Sequence, residues 1–545
     1  MVNPASPTPF QRSTSQSYPT SSSTSLFISL LSHSLISISL LVYINASTSF
    51  LLTQCLSVSP SRTGSWTARL LFADEITALT VYLPAGAAAD RWGVKGVAIL
   101  GHGVAAVGLI AYANAPSLGW LIVARVLFAL GAGSLVTTLS SMLSAVSASS
   151  STSVAASSPR CPARPVPDEE TPLLQNGDGV DLAGAGASPA SKRAGRLAGM
   201  MGFASGLGAL LAVFGFLRLP PLLSHILSPT ATPSPRTESL ALILTFYVVA
   251  ACAFLEALLL ASLLPATPSR APRPDAERKS ARDRVGESVK GLFEGFKLAW
   301  EEGEVGLGYL SSFASRAQAV IVTAYIPLLV TRYLASHDLC STTSPSSPST
   351  SSSCPKAYIL SSILTGTIQL LSLLLSPLIG YLSTCPLFLR SSPSSSSSSS
   401  RTPSLPLTLC LTFTLGAFAL ALFSHLPHDG DPRPPQSWVW ISILGIGIAQ
   451  AAGVVLSLAL VTDGGVRLAE RRLQEEEGEG GEGGKKEVAG RLGGSYALSG
   501  GLGILLVGST AGWIFDRWWS GAPFALMAVL DGIVALAAGV VWLRG

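Results

Sequence analysis

The ten residues GAAADRWGVK, Gly86 to Lys95, join two apolar stretches through a very short charged turn. Glycines such as Gly86 and Gly93 let two helices and a tight turn approach closely. Asp90 can accept hydrogen bonds from the backbone N–H groups of a neighbouring helix end, and Arg91 and Lys95 favour the cytosolic surface of a membrane. The turn therefore predicts two consecutive membrane helices that are connected on the cytosolic side.

The composition of the whole chain is typical of a membrane protein. The 545 residues are 48% hydrophobic and 12% charged, with a mean hydropathy of +0.48, whereas soluble domains contain about 25% charged residues. The net charge of +4 lies almost entirely in loops, so it does not indicate nucleic-acid binding. The cysteines show no zinc or redox spacing, and no catalytic triad or phosphate-binding loop is recognisable. The sequence therefore predicts no enzyme, no metal site and no cofactor.

Twelve stretches are apolar over about 20 residues, the length that crosses a bilayer. They are spans 1 to 12, at residues 26–54, 68–88, 96–114, 118–146, 197–217, 238–263, 305–333, 357–383, 404–426, 438–461, 493–515 and 521–543. With both termini in the cytosol, Lys and Arg are roughly three times as frequent on the cytosolic side as on the other. The sequence thus predicts an all-α membrane protein of twelve helices in two six-helix bundles, with both termini cytosolic.

The segments outside the spans suggest how the chain is divided. Residues 1–25 are rich in Ser, Thr and Pro, which predicts a disordered tail. Residues 26–263 form the first predicted bundle, with a disordered cytosolic loop at 147–196, and residues 305–545 form the second. The linker at 264–304 repeats apolar residues at helical spacing in its second half. This pattern predicts an amphipathic helix that either lies in the cytosolic membrane interface or docks on the bundle ends.

Ionisable residues inside spans cost at least ~2.5–3.5 kcal/mol each, so each one is a candidate functional residue. Besides His33 in span 1, they are Asp74, Glu75, Arg125, Glu256, Arg316 and Asp531. Asp74 and Glu75 lie at about the depth of Arg125, which predicts an ion pair between a carboxylate and this arginine. Adjacent helical residues point about 100° apart, so only one carboxylate is expected to face the cavity. The pair is either a proton or substrate switch or a fixed pair that sets helix register.

Arg316 near the middle of span 7 has no carboxylate nearby in its own helix. Because a guanidinium binds carboxylate or phosphate bidentately, Arg316 is a candidate anchor for an anionic group. The alternative is an ion pair with Asp74 or Glu75. Three neutral side chains could add hydrogen bonds to a solute: Gln318, Tyr325 and Gln450. We expect Glu256 to extend to the cytosolic interface and Asp531 to bond a neighbouring backbone group.

Two of these stretches resemble motifs of the major facilitator superfamily. The pattern G-x-x-x-D-R-x-G-x-K at 86–95 resembles its signature loop between the second and third helices, the alternative being a charged turn between any two membrane helices. RVLFALGAG from Arg125 to Gly133 resembles its arginine motif on helix 4, from which Phe128 and Ala129 depart. The resemblance implies the major facilitator fold, with helices 1, 4, 7 and 10 around a central cavity. It also implies a conformational latch formed by Gly86, Asp90, Arg91, Gly93 and Lys95.

Further stretches are similar to a group of largely uncharacterised fungal facilitators: Phe72 to Glu75, Ser312 to Leu328, Ala357 to Gly366, Gly494 to Leu505 and Gly521 to Phe524. The resemblance implies a secondary transporter that moves a small organic solute by alternating access. Proton coupling through Asp74, Glu75 and Arg125 is a hypothesis. Two alternatives are a lipid-handling facilitator, whose cavity should be apolar and open laterally, and a non-transporting sensor of the same fold.

The predicted cytosolic loop at 147–196 contains an address-like motif. Its residues EETPLL, from Glu169 to Leu173 and Leu174, match the acidic dileucine pattern that clathrin adaptors read. The motif favours the vacuolar membrane over the plasma membrane. The opposite side would then be an oxidising lumen, where Cys340 and Cys354 are candidates for a disulfide. The sequon at Asn45 is expected to lie too close to the bilayer for glycosylation.

Overall fold

The computed structural model is helical throughout its long elements and describes residues 21–59, 61–157, 200, 202–228, 234–264, 281–337, 355–384, 405–425, 436–475 and 482–544. Twelve helices are labelled in chain order: α1 Ser21–Phe50, α2 Thr63–Trp92, α3 Val94–Ala113, α4 Leu118–Ser157, α5 Gly202–Leu227, α6 Pro235–Leu263, α7 Gly303–Ser336, α8 Pro355–Thr384, α9 Leu405–His425, α10 Gln436–Glu475, α11 Glu482–Arg517 and α12 Ala522–Arg544. The linker helix, Ala281–Glu301, lies between α6 and α7.

Eleven of the described helices are long and apolar enough to cross a membrane. The helix outside this group, apart from the linker helix, is α2. Its 30 residues span about 45 Å at 1.5 Å per residue, but Arg69, Asp74 and Glu75 lower its hydropathy. Because α2 packs lengthwise between α4 and α11, it completes the twelve helices that the sequence predicts.

Several of the described helices extend beyond the predicted spans. α4 continues to Ser157, into the segment predicted to be a disordered loop, and α10 and α11 reach Glu475 and Glu482 in the loop between spans 10 and 11. For α10 the physical reason is that hydropathy locates only the apolar part of a helix, whereas the Arg, Leu, Ala and Glu residues from Arg467 to Glu475 continue it in water. α1 likewise begins at Ser21, inside the predicted tail. Glu169, Leu173, Leu174, Cys340 and Cys354 lie outside the described residues.

The helices pack as two groups of six. In the first group α4 packs against α2 and α3, and α3 against α6; in the second, α9 packs against α10 and α12, and α7 against α10 and α11. The two groups meet where α1 packs on α7, α2 on α11 and α5 on α8. We call this boundary the seam.

The buried apolar side chains show on which side the two bundles are joined. A single core spans both bundles in the half of the molecule predicted to be non-cytosolic, from Ile44 and Leu121 to Tyr325 and Phe515. In the other half the described side chains form separate clusters, one within the first bundle and two within the second bundle and the linker helix. The bundles are therefore joined on the predicted non-cytosolic side and separate on the predicted cytosolic side.

The linker helix has one docked face and one exposed face. Leu298 is buried in a cluster with Val305 of α7, and the ring of Phe296 meets that of Tyr309 edge-on at 5.6 Å. Trp300, in contrast, is 93% exposed. The helix thus docks on the bundle end and presents an aromatic side chain of the kind found at membrane interfaces.

Candidate functional site

Arg125 is the most deeply buried charged residue among the described residues of the first bundle, with 1% of its surface exposed. Its Nη2 donates to Asp74 Oδ2 of α2 at 2.7 Å and to Asn45 Oδ1 of α1, and Nη1 donates to Thr48 Oγ1 at 3.5 Å. The guanidinium also lies 5.7 Å from the ring centroid of Tyr112 on α3. Polar and aromatic groups from three neighbouring helices therefore hold one cation between them.

The sequence did not indicate Asn45 as a partner of Arg125. Its only signal was an amide side chain inside an apolar span, and the residue was considered as part of a glycosylation sequon. In the structure the side-chain oxygen of Asn45 accepts a hydrogen bond from Arg125. Two atoms of the cluster have no hydrogen-bond partner among the described residues, Arg125 Nε and Asp74 Oδ1. The ion pair thus keeps one unused donor and one unused acceptor.

Glu75 points away from Arg125 and toward the seam. A Cβ placed on Gly501 of α11 would lie 2.7 Å from Glu75 Oε1, so the carboxylate rests directly on this glycine. Arg316 of α7 lies in the same way against the adjacent Gly500, with its guanidinium 5.9 Å from the ring centroid of Tyr496. Two neighbouring glycines of α11 therefore separate a carboxylate of one bundle from a guanidinium of the other.

Neither Glu75 nor Arg316 has a hydrogen-bond or ion-pair partner within the described part of the chain. Both side chains are only partly buried, and Glu75 is close enough to Asp74 and Arg316 to interact electrostatically with both. Among the described residues, Arg316 therefore forms no ion pair with Asp74 or Glu75 in this conformation, contrary to the alternative considered from the sequence. The arrangement therefore places two opposite charges across the seam without a direct ion pair between them.

The three neutral candidates lie in helix contacts rather than beside Arg316. Gln318 donates to the carbonyl of Ile446 at 3.4 Å, and Tyr325 donates to that of Gly508 at 3.0 Å. Gln450 donates to Gln369 Oε1 at 3.3 Å, a partner that the sequence did not suggest. Because all three candidates are buried, they hold neighbouring helices together in this conformation.

The turn between α2 and α3 is a single residue, Gly93, with φ of 85°. This left-handed conformation favours glycine. Lys95 Nζ donates to the carbonyl of Leu264 at the end of α6, 2.7 Å away, where a cation is favourable. Arg91 is exposed, and a Cβ on Gly86 would make only an ordinary contact with Thr137, at 3.7 Å. The side chain of Asp90 lies outside the described residues.

Two expectations about the remaining charges are wrong. Glu256 does not extend to the interface; it is buried and accepts a hydrogen bond of 2.9 Å from Ser32 Oγ of α1. The reason is that the Ser32 hydroxyl on the neighbouring helix binds the carboxylate inside the bundle, and sequence spacing does not indicate this pairing. Asp531 is fully buried against Gly416 of α9, and its carboxylate oxygens have no hydrogen-bond partner among the described residues.

The predicted non-cytosolic side is closed by contacts between α1, α5 and α8. The rings of Phe50 and Tyr358 are stacked with centroids 3.8 Å apart, and the Tyr358 hydroxyl donates to Gln54 Oε1 at 2.8 Å. Arg218 Nε donates to Ser362 Oγ at 3.0 Å. These residues form a layer above Arg125 and Arg316 that joins the two bundles.

Comparison with protein-family models and with curated proteins finds no match. Solved structures do match. A mutant of the nucleoside transporter NupG has a TM-score of 0.57 at 14% identity, over 94% of this chain and 99% of that one. A POT family transporter in complex with 5-aminolevulinic acid has a TM-score of 0.57 at 13% identity, over 94% of this chain and 95% of that one. A bacterial homologue of the human drug peptide transporters has a TM-score of 0.56 at 13% identity, over 96% of this chain and 98% of that one.

The chain has the fold of these transporters. At such identities the likeness establishes the fold alone, and it confirms the predicted fold class, an all-α multi-pass membrane protein of the major facilitator type. The proteins matched are transporters and not enzymes. The cytosolic location of the termini and the similarity to the fungal group stay predictions.

Proposed function

We propose that this chain is a secondary active transporter of a small organic solute that works by alternating access. The observation that carries the proposal is the pair of unpartnered opposite charges, Glu75 and Arg316, on either side of the seam. Charges inside a membrane are costly and are typical of substrate and ion pathways. Bundles that are joined on one side and separate on the other support a cavity that opens to one side at a time.

The two charges suggest the chemistry of the solute. The guanidinium of Arg316 suits a carboxylate or phosphate, and the Glu75 carboxylate suits an ammonium group. A small solute with an acidic group at one end and an amino group at the other would satisfy both. The POT family transporter that shares this fold was solved with 5-aminolevulinic acid, which agrees with such a solute. A lipid-handling facilitator would need an apolar cavity instead, so the charges favour the polar solute.

Asp74, Glu75 and Arg125 support the hypothesis of proton coupling. The carboxylate of Asp74 keeps one unused oxygen beside Arg125, and its protonation would release the guanidinium and change how α2 and α4 hold together. Glu75 is also proposed to bind the solute, so the double variant Asp74→Asn/Glu75→Gln should transport more slowly, and the transport that it retains should be independent of pH. A double variant with the transport rate and the pH dependence of the wild type would contradict coupling through these residues.

Proteoliposomes that contain the purified protein test the proposed function. They are incubated in an extract of water-soluble metabolites, and mass spectrometry identifies the solutes that enter. We expect at least one small zwitterionic or anionic solute to enter with the wild type and to be lost in Arg316→Gln. Arg69→Gln is the matched control, because Arg69 is an exposed arginine of α2 that stacks on Trp66. Equal entry with the wild type, Arg316→Gln and empty liposomes would contradict the proposal.

We also propose the vacuolar membrane as the location, with a clathrin adaptor as partner. The support is the dileucine pattern at Glu169, Leu173 and Leu174. Metabolite profiles of vacuoles isolated from cells with and without the protein should then differ in the transported solute. Identical profiles, with the protein found at the plasma membrane, would overturn this location.

A further inference from the structure

Asp516 near the end of α11 lies on the first turn of α2. Its Oδ1 accepts a hydrogen bond from the backbone N–H of Gly64 at 3.0 Å, and its Oδ2 accepts from the backbone N–H and the hydroxyl of Ser65 at 2.7 and 2.5 Å. The N-cap of α2, Arg62, provides no side-chain hydrogen bond. A carboxylate of the second bundle therefore takes the place of the N-cap side chain that α2 lacks.

The two helices fit closely at this point. A Cβ on Gly64 would lie 2.6 Å from Asp516 Oδ1, and one on Gly512 would collide with the carbonyl of Gly64 and with Ala68. Farther along, Leu71 of α2 lies beside Gly508 of α11, and Glu75 lies beside Gly501. Because residue numbers rise along one helix and fall along the other, α2 and α11 run antiparallel across the seam.

The same three residues, Asp-Arg-Trp, occur where each of the two helices ends. Asp90-Arg91-Trp92 ends α2, and Asp516-Arg517-Trp518 lies at the end of α11. Since the helices are antiparallel, these two ends lie on opposite sides of the membrane. The hydrogen bonds of Asp516 to the first turn of α2 can form only while the bundles are together on that side of the membrane.

We propose that Asp516 is a latch for the predicted non-cytosolic side, and that it alternates with the latch predicted at Asp90. Asp516 stabilises the conformation described above, in which that side is closed. Its hydrogen bonds to Gly64 and Ser65 must break when the bundles separate there. This inference rests on the proposed alternating access, and it assigns to Asp516 the balance between the two access states.

Spin labels on the predicted non-cytosolic side can measure that balance. Gly119 at the start of α4 has open space around it, and Ser437 at the start of α10 is exposed. Cysteines at these two positions, in a chain without its seven native cysteines, report the distance between the bundles by double electron–electron resonance. We expect the short distance to dominate in the wild type. Asp516→Ala should raise the ratio of long to short distances about tenfold or more.

Three further variants sharpen the test. Asp516→Asn should shift the ratio less than Asp516→Ala, because the amide oxygen can still cap a helix. Asp90→Ala should shift it the opposite way. The matched control is Arg332→Gln: Arg332 Nη1 donates to the carbonyl of Phe515 at 3.0 Å, at the same end of α11 but within one bundle. This control should lower stability without changing the ratio of distances.

The outcomes separate the latch from the proposed function. Two distances in every variant, with a ratio that Asp516→Ala leaves unchanged, would overturn the latch and leave alternating access in place. An equal shift in Asp516→Ala and Arg332→Gln would also overturn it, because the effect would then be a general loosening of α11. A single distance in all variants, with no solute transported, would overturn both proposals.

Discussion

The guanidinium of Arg125 and the carboxylate of Asp74 form an ion pair between α4 and α2, with Nη2 and Oδ2 2.7 Å apart. The neighbouring Glu75 faces the seam and Arg316 of the other bundle. Two consecutive carboxylates on one helix therefore have different surroundings: the first is bound to a cation within its own bundle, and the second has no hydrogen-bond or ion-pair partner among the described residues.

Replacing Asp74 by Asn should cost much more stability than replacing Glu75 by Gln. Asp74→Asn leaves Arg125 buried without its counter-charge, and breaking a buried pair in this way costs about 3–5 kcal/mol of unfolding free energy. Glu75→Gln removes no hydrogen bond or ion pair among the described residues. Thermal unfolding in detergent measures the stability of both single variants. The double variant Asp74→Asn/Arg125→Gln should recover part of the stability that Asp74→Asn loses. Equal losses in the two single variants would contradict the assignment of the pair.

Gly93→Ala should destabilise the turn between α2 and α3. The φ of 85° and ψ of 149° lie in a region that is essentially restricted to glycine, where an L-residue costs about 1–3 kcal/mol. Gly96→Ala in the first turn of α3 is the control, because a Cβ there meets open space and alanine favours a helix by up to about 1 kcal/mol. The free energy of unfolding, measured with a chemical denaturant, should therefore fall for Gly93→Ala and rise for Gly96→Ala. A loss of the same size in both would show that the backbone angle is not the cause.

Gly500→Ala and Gly503→Ala should separate solute binding from helix packing. A Cβ on Gly500 meets the side chain of Arg316, which can move, whereas one on Gly503 meets the backbone carbonyl of Phe313, which cannot. We expect Gly500→Ala to fold normally and to raise the KM for the solute. Gly503→Ala should lose about 1–3 kcal/mol of unfolding free energy, the usual cost of overpacking. A normal KM in a stably folded Gly500→Ala would argue against Arg316 as the anchor.

Asp531→Ala should stabilise the second bundle. A buried carboxyl without a hydrogen-bond partner among the described residues carries a desolvation cost of about 1–3 kcal/mol. Alanine removes that cost and suits the middle of α12. The melting temperature in detergent should rise, with Val534→Ala, a buried apolar side chain of the same helix, as a control that lowers it. A fall for Asp531→Ala would mean that the carboxyl binds a group in the folded protein.

The number and type of helices could be predicted from the sequence, because a bilayer selects apolar stretches of a fixed length. The helix ends in water could not be predicted, as α10 shows, because helix propensity continues where hydropathy ends. The depth of Asp74 and Arg125 along their spans indicated that they could meet. The orientation of Glu75 toward α11 required the packing of α2 between two helices.

The residues that the sequence missed share a cause. Asn45 lies 80 positions from Arg125, and Asp516 lies 451 positions from Ser65. Spacing along the chain carries no information about such pairs, because they arise from the way separate helices meet. Asp516 did have one local signal, the residues that it shares with the turn at Asp90.

The central claim, that the layer above the seam opens and closes during transport, is tested most directly by fixing that layer. Phe50→Cys and Tyr358→Cys, on α1 and α8, replace two rings that are stacked in the closed state. A short reducible cross-linker joins them in a chain without native cysteines, and uptake of the solute identified in proteoliposomes is then measured. The account predicts that uptake stops on cross-linking and returns on reduction. Uptake at the full rate with the cross-link complete would contradict alternating access through this side.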